Sequence, residues 1–371
     1  ACTPSRAALL TGRYPIRSGM NVVLNPNAEK GLPASETTLA ELLKENGYHT
    51  SMVGKWHLGD HPDFMPTEHG FHDYFGLLYS NDMVPPWVQT TKPLRLYRGT
   101  DELPGDVDPS ALTTKYTEEA IRIIREQRRQ PFFLYLAYSM PHVPIGSSAA
   151  FEGKSAGGRY GDVIEELDWN VGRILDTLRE LRLEDRTLVI FTSDNGPWTN
   201  MPSRMLVNDR VRLTDAGSAG PLRGSKGTSW EGGVRVPFIA RWKAHIEPGL
   251  VSADIAATID VLPTVARLTG AKVPDTLKLD GLDITALLEG TGPSPRQELF
   301  VFNDGRVEAL REGNWKLKVE WKKGFTTPVP ELYDLASDPF ERYDVAGTNP
   351  AVAERLLNRL VAFAKETGAV R

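Results

Sequence analysis

An α/β fold is predicted for this chain: a mostly parallel central sheet flanked by helices, then a smaller C-terminal antiparallel sheet with one helix. Three observations predict it. Amphipathic helical stretches alternate with short apolar runs through the longer N-terminal part, and a parallel sheet needs such helices for its crossovers. Gly290-Thr291-Gly292-Pro293-Ser294-Pro295 then punctuates the chain like a linker. Beyond it, short strand-like runs are separated by turns and end in one amphipathic stretch. The expected division is a larger domain over 1–292 and a C-terminal antiparallel subdomain over 293–371.

The elements follow in order. Thr38 and Glu41 stand at capping-box spacing ahead of Leu39, Leu42 and Leu43, and Gly47 is the stop, so a helix runs from Leu39 to Asn46. Thr117 to Arg129 is helical with Ala120, Ile121 and Ile124 on one face, and Pro131 separates it from a buried strand, Phe132 to Tyr138. The unit repeats: Ile164, Leu167, Val171, Ile174, Leu175 and Leu178 trace a helical stripe, and Thr187 to Thr192 reads as a second buried strand. Val234 to Trp242 is a further strand, and Ile255 to Leu268 a helix interrupted near Pro263. In the C-terminal part, Glu298 to Phe302, Arg306 to Arg311, Trp315 to Trp321 and Glu331 to Leu335 read as strands, and Leu356, Leu357, Leu360, Val361 and Ala364 mark the packed helix. Two long loops, Asn81 to Pro109 and Pro197 to Leu222, are rich in Pro, Gly, Asp and Asn and suit substrate specificity.

Composition narrows the function. A chain of 371 residues exceeds what one core normally serves. Its formal net charge of -5 argues against a nucleic-acid surface. The longest apolar stretch, Phe132 to Tyr138, falls far short of the about 20 residues that span a bilayer, so no membrane insertion is expected. The single cysteine, Cys2, forms no internal disulfide.

Chemistry-bearing residues fall in six motifs. Cys2 is followed by Pro4, Ser5 and Arg6 in a segment closed by Thr11-Gly12-Arg13. Gly54-Lys55-Trp56-His57-Leu58-Gly59 sets a cation and an imidazole two residues apart, on one face if the segment is extended. Tyr79-Ser80-Asn81-Asp82 comes next. Pro141-His142-Val143-Pro144 and Ser193-Asp194-Asn195-Gly196 each follow a predicted strand, where sites in open parallel sheets gather. Gly224 to Pro237 holds Lys226 between glycines that let backbone approach an anion, without the order of a P-loop. Each motif also has a plainer reading: a lone cysteine in a core, a glycine-bounded turn, a turn histidine, an Asx turn. His57, His61, His69 and His72 do not make a zinc site, since Gly59, Pro62, Pro66 and Gly70 break any helix that would align them.

In this order the motifs resemble the type I sulfatase family of the alkaline phosphatase superfamily, arylsulfatase A-like members in particular. Gly161 to Asp168, Glu331 to Leu335 and Asp338-Pro339 extend the resemblance over nearly the whole chain. It implies an alkaline phosphatase-like fold and a sulfuric ester hydrolase acting on an aryl or carbohydrate sulfate. It implies that Cys2 is oxidised to formylglycine by a formylglycine-generating enzyme and that the aldehyde hydrate is the nucleophile. Arg6 would steady the hydrate, Lys55 and Ser80 would contact sulfate, and His57 would act as base when the aldehyde is restored. His142 would protonate the leaving group and Lys226 would bridge sulfate and leaving oxygen. Asp194, Asn195 and an oxygen at position 2 would hold Ca2+, or less often Mg2+. The implied compartment is periplasmic, secreted or lysosomal.

One family feature is not found: residues 1 to 20 contain no counterpart of the first strand with its metal-binding aspartate pair, so the chain is expected to be a fragment or to have lost that element. A second function class follows, an inactive truncation or non-catalytic anion-binding protein, because these ligands fall short of calcium's roughly six to eight oxygens. A third is a phosphodiesterase or phosphonate monoester hydrolase of the same superfamily. Trp87, Trp198 and Trp230 lie near the motifs and are candidates to stack on a substrate ring.

Overall fold

The computed structural model describes residues 1–321 and 328–369. The chain opens with α1 (Cys2–Thr11), which ends at Gly12 with φ 64°, a left-handed position that suits glycine. The short α2 (Pro15–Ser18) follows, then α3 (Leu39–Glu45). The predicted capping box is present: Thr38 Oγ1 accepts from the Glu41 N–H, and the Glu41 side chain accepts from the Thr38 N–H.

The central sheet has five strands in the order β4-β3-β2-β1-β5. They are β1 (His49–Lys55), β2 (Asp73–Leu77), β3 (Tyr97–Arg98), β4 (Asp101–Glu102) and β5 (Phe132–Ala137). β2 and β5 flank β1 in parallel, and β3 and β4 add an antiparallel margin. At Gly54 a Cβ would collide with the Ala137 carbonyl, so only glycine lets β1 and β5 lie this close beside Lys55. Helices α4 (Leu112–Gln127) and α5 (Gly158–Glu180) pack on each other, and Val53, Leu77, Tyr116 and Ile123 join α4 to the sheet.

Three expectations are corrected. The second buried strand is shorter, β6 (Val189–Thr192), and pairs antiparallel with β7 (Phe238–Arg241) in a separate two-stranded sheet. It is only part-buried: Phe191 is 44% exposed, and Ile239 on its partner β7 is 59% exposed. An unbroken apolar run shows strand propensity without showing which neighbours cover it. The strand expected from Val234 begins only at Phe238, because Glu231–Val234 closes a helical turn, α6, and Pro237 supplies no ladder N–H. The helix over 255–268 is a 3-10 turn, Thr258–Asp260, running into an unbroken α7 (Val261–Thr269). Pro263 lies in its first turn, where a missing N–H costs nothing.

After α8 (Thr285–Leu288) come β8 (Glu298–Asn303), β9 (Arg306–Glu312), β10 (Trp315–Glu320) and β11 (Val329–Asp334), antiparallel in the order β11-β10-β9-β8, with α9 (Pro350–Thr367) on one face. Leu356, Leu360, Phe363 and Ala364 of α9 form this core with Ala8, Tyr14 and Ile259 from the larger layer. The Phe300 N–H donates to Tyr14 Oη at 3.1 Å. The two layers therefore share a core. Among the described residues no helix is long and apolar enough to cross a membrane.

Candidate active site

Four segments converge on Cys2, which is 2% exposed at the first turn of α1. Lys55 closes β1, His142 follows β5, Asp194 follows β6, and Lys226 lies in the glycine-rich segment before α6. Lys55 Nζ is 3.3 Å from Cys2 Sγ and 3.2 Å from Ser80 Oγ. Lys226 Nζ is 3.5 Å from the same sulfur and 2.9 Å from His142 Nε2. Ser80 Oγ is 3.3 Å from His142 Nδ1, and Asn195 Oδ1 lies 3.9 Å from the sulfur. The N-terminus of α1 adds its partial positive charge to the two ammonium groups.

His57 reaches the cluster by a different route from the extended segment expected. Its φ is 63°, and the turn is held by its N–H donating to the Leu78 carbonyl at 3.0 Å and by Thr3 Oγ1 donating to its carbonyl at 2.9 Å. Nε2 donates to the Leu24 carbonyl at 2.9 Å, which leaves Nδ1 as an acceptor with no partner among the described residues. At His142, Lys226 donates to Nε2, so Nδ1 carries the proton and donates to the Val143 carbonyl at 2.6 Å. Arg6 was expected to steady the nucleophile. It donates to the Lys55 carbonyl at 2.6 Å and to Asp194 Oδ2 at 2.9 Å, joining α1 to the ends of β1 and β6.

The charges act on one another strongly. Burial pushes the Cys2 thiol up, but Lys226 and Lys55, helped by His142 and His57, hold it well below its ordinary value. Burial pushes the Lys55 ammonium and the His57 imidazole down. Burial and the Cys2 side chain push the Asp194 carboxyl up, and Arg6, Lys55 and Lys226 overcome them, so it falls below the usual range. The arrangement can stabilise an anion at the position of the sulfur.

The Lys226 segment is fastened on both sides. The Lys226 N–H donates to the Pro197 carbonyl at 2.8 Å, and the Gly196 N–H to Gly233 at 3.0 Å. A Cβ at Gly196 would strike the Gly232 carbonyl. On the other side a buried ion cluster ties the segment to the C-terminal sheet. The fully buried Lys316 lies 2.9 Å from Glu231 Oε1 and 2.7 Å from Glu341 Oε1. The Glu231 N–H donates to Glu341 Oε2 at 2.7 Å, and Ser229 Oγ donates to Glu308 at 2.8 Å. Sequence reasoning missed this clamp: Glu231 stood inside a motif without a role, and Lys316 and Glu341 lie about a hundred residues from it.

The three tryptophans separate. Trp198 stands at the cluster, half-buried, its ring 6.1 Å from His142 and 4.9 Å from Lys226 Nζ. Trp87 is buried in an apolar cluster, and Trp230 packs against Tyr333 beneath Arg223 and Lys318. Of the histidines considered for zinc, His69 is buried against Trp56 and His72 stacks on His49. Among the described residues no group of three or more His, Cys, Asp or Glu side chains could hold a metal ion. Asp194 and Asn195 offer side-chain oxygens near Cys2, but the Asp194 carboxylate is already paired with Arg6. This donor set does not by itself fit calcium, which takes roughly six to eight oxygens.

The sulfatase family model matches residues 1–271. Human arylsulfatase A is 39% identical, over 96% of this chain and 76% of its own length. Mouse N-acetylgalactosamine-6-sulfatase is 35% identical, over 93% of this chain and 73% of its own. The solved structure of Ps i-CgsB in complex with k-i-k-neocarrahexaose superposes with a TM-score of 0.82 at 27% identity, covering all of this chain and 82% of that one. With these matches over the fold and the cationic cluster at Cys2, the chain belongs to the sulfatase family.

Proposed function

We propose that this sulfatase cleaves an aryl or carbohydrate sulfate ester at Cys2 after that residue has been oxidised to formylglycine by a generating enzyme. The observation that carries this reading is the convergence of Lys55 and Lys226 on the Cys2 sulfur, at 3.3 and 3.5 Å. His57 lies against Cys2 with Nε2 engaged by the Leu24 carbonyl, so Nδ1 is the atom able to take a proton from a hydroxyl at position 2. Hydrated formylglycine supplies one hydroxyl that attacks sulfur and a second from which the aldehyde is regenerated as sulfate leaves.

The chain's own residues do the rest. Lys55, Ser80 and Lys226 hold the non-bridging oxygens and neutralise the charge that builds on them. The Lys226–His142 pair carries the proton for the departing alcohol oxygen as its bond to sulfur breaks. His57 Nδ1 takes the proton of the second hydroxyl. The balance is one ester and one water consumed, one alcohol and one sulfate released. Arg6 positions Lys55 and Asp194. Carbohydrate esters are supported by the names of the N-acetylgalactosamine-6-sulfatase and neocarrahexaose-bound relatives. A periplasmic, secreted or lysosomal setting belongs to the same proposal.

The test is sulfate release from a chromogenic aryl sulfate by protein co-expressed with the generating enzyme. Turnover that disappears in Cys2→Ala supports the reading. Turnover of phosphonate monoesters but not sulfates would favour the other ester class.

A further inference from the structure

Asp82 is a buried acid at the edge of the cluster, and the mechanism above gives it no task. It sits in the turn after β2, which the Met83 N–H closes by donating to the Ser80 carbonyl at 3.0 Å. Asn81 Nδ2 donates to the Pro144 carbonyl at 3.0 Å and so ties this turn to the segment that carries His142. Asp82 Oδ1 thereby comes to 3.7 Å from His142 Nδ1. The residue is 4% exposed, and Oδ1 has no hydrogen-bond partner among the described residues. Among those residues His142 is also the only basic side chain paired with the carboxylate. Val84 and Val143, close by on the two loops, belong to one apolar cluster, so water screens the contact poorly.

The imidazole therefore stands between an ammonium and a carboxylate. Lys226 Nζ donates to Nε2 at 2.9 Å. Nδ1 donates to the Val143 carbonyl at 2.6 Å and lies 3.3 Å from Ser80 Oγ, and these contacts hold the ring. At 3.7 Å the Asp82 oxygen is too distant for a hydrogen bond and acts through its charge. A buried carboxylate is costly without a counter-charge. Beside a neutral imidazole Asp82 has none. It gains one when Nε2 takes the Lys226 proton and the ring becomes imidazolium.

We infer that Asp82 is a positioning residue for the leaving-group proton: its carboxylate stabilises the imidazolium form of His142, through which Lys226 passes a proton to the departing alcohol oxygen. The proton moves from Lys226 Nζ to His142 Nε2 and then to the departing oxygen, which keeps the electron pair of the broken S–O bond. Lys226, left as an amine, takes a proton back from water. This rests on the sulfatase reading above and adds to it the charge that draws the proton onto the imidazole.

Two measurements on the full chain test it. The first needs no turnover: urea midpoints of the unconverted Cys2 protein carrying Asp82→Asn, His142→Ala or both. If carboxylate and ring interact, Asp82→Asn is more destabilising in the native background than beside His142→Ala. Equal shifts in the two backgrounds overturn the pairing. The second is kcat/KM of the matured enzyme, which covers the steps up to departure of the alcohol, for nitrophenyl, phenyl and methoxyphenyl sulfates. A more basic phenolate needs the proton more, so Asp82→Asn should lower the methoxyphenyl value by roughly ten-fold or more beyond its effect on the nitrophenyl value. Asp82→Glu, which keeps the charge, should stay close to the parent's leaving-group dependence. The same loss for all three esters, or a dependence in Asp82→Glu as steep as in Asp82→Asn, overturns the assignment. A fully converted parent that turns over no ester counts against the catalytic reading, and the midpoints still decide whether Asp82 and His142 interact.

Discussion

Cys2 is a buried side chain within 3.5 Å of two ammonium groups, the donors on which the proposed sulfate transfer depends. Removing either one, by Lys55→Ala or Lys226→Ala, should lower kcat by about 10²- to 10³-fold with the fold intact, as loss of one preorganised donor does in other enzymes. Steady-state kinetics with circular dichroism checks this. His69 lies outside the chemistry and should contribute to acid lability. It is fully buried, and burial pushes its imidazole down to about 4, opposed in part by the Leu32 backbone. The unfolded chain then binds a proton that the folded chain refuses between the ordinary value of about 6.5 and about 4. Stability is unaffected above pH 6.5 or so and is lost as pH falls through that window, by about 3 kcal/mol in full. His69→Phe should flatten the fall of the denaturant midpoint over this range; an unchanged slope would place the acid sensitivity elsewhere.

At the scale of elements, the loops fixed to strand ends explain why Cys2, Lys55, His142, Asp194 and Lys226 were legible from motifs while their geometry was not. The residue types and their places after strands were visible in the chain. The positive φ of His57, the Lys226–His142 hydrogen bond and the Arg6–Asp194 pair depend on tertiary contacts between segments far apart in sequence. The same limit made β6 read as a buried strand and set the start of β7 too early, at Val234. It also left β1 and β2 unassigned, because their runs are interrupted by Gly54 and Gly76 at close backbone contacts. The Glu231–Lys316–Glu341 clamp belongs to this scale. Lys316→Met strands the Glu341 carboxylate in the interior and leaves Glu231 only Arg311, at 3.7 Å, so it should cost about 3–5 kcal/mol, read as a shift of the urea midpoint. A shift of only a few tenths would show that the cluster contributes little to holding the Lys226 segment.

Across the whole molecule, the antiparallel layer was the most legible part, since its four strands and its helix lie close to their predicted limits. What the composition shift at 290–295 did not reveal is that Ala8, Tyr14 and Ile259 of the larger layer bury against it. A chain ending at residue 292 exposes those side chains and frees Glu231 from Lys316. It should therefore be cleaved by protease much faster than the full chain and lose the cooperative melting transition. A fully protected 1–292 fragment would mean that the shared core is dispensable.

The account depends on the identity of the group at position 2, and one experiment addresses it directly: aryl sulfate hydrolysis measured across preparations whose Cys2 peptide shows graded conversion to the aldehyde by mass spectrometry. Sulfate release should rise in proportion to the converted fraction and vanish at zero conversion. Complete conversion with no release, or release from unconverted protein, would contradict it.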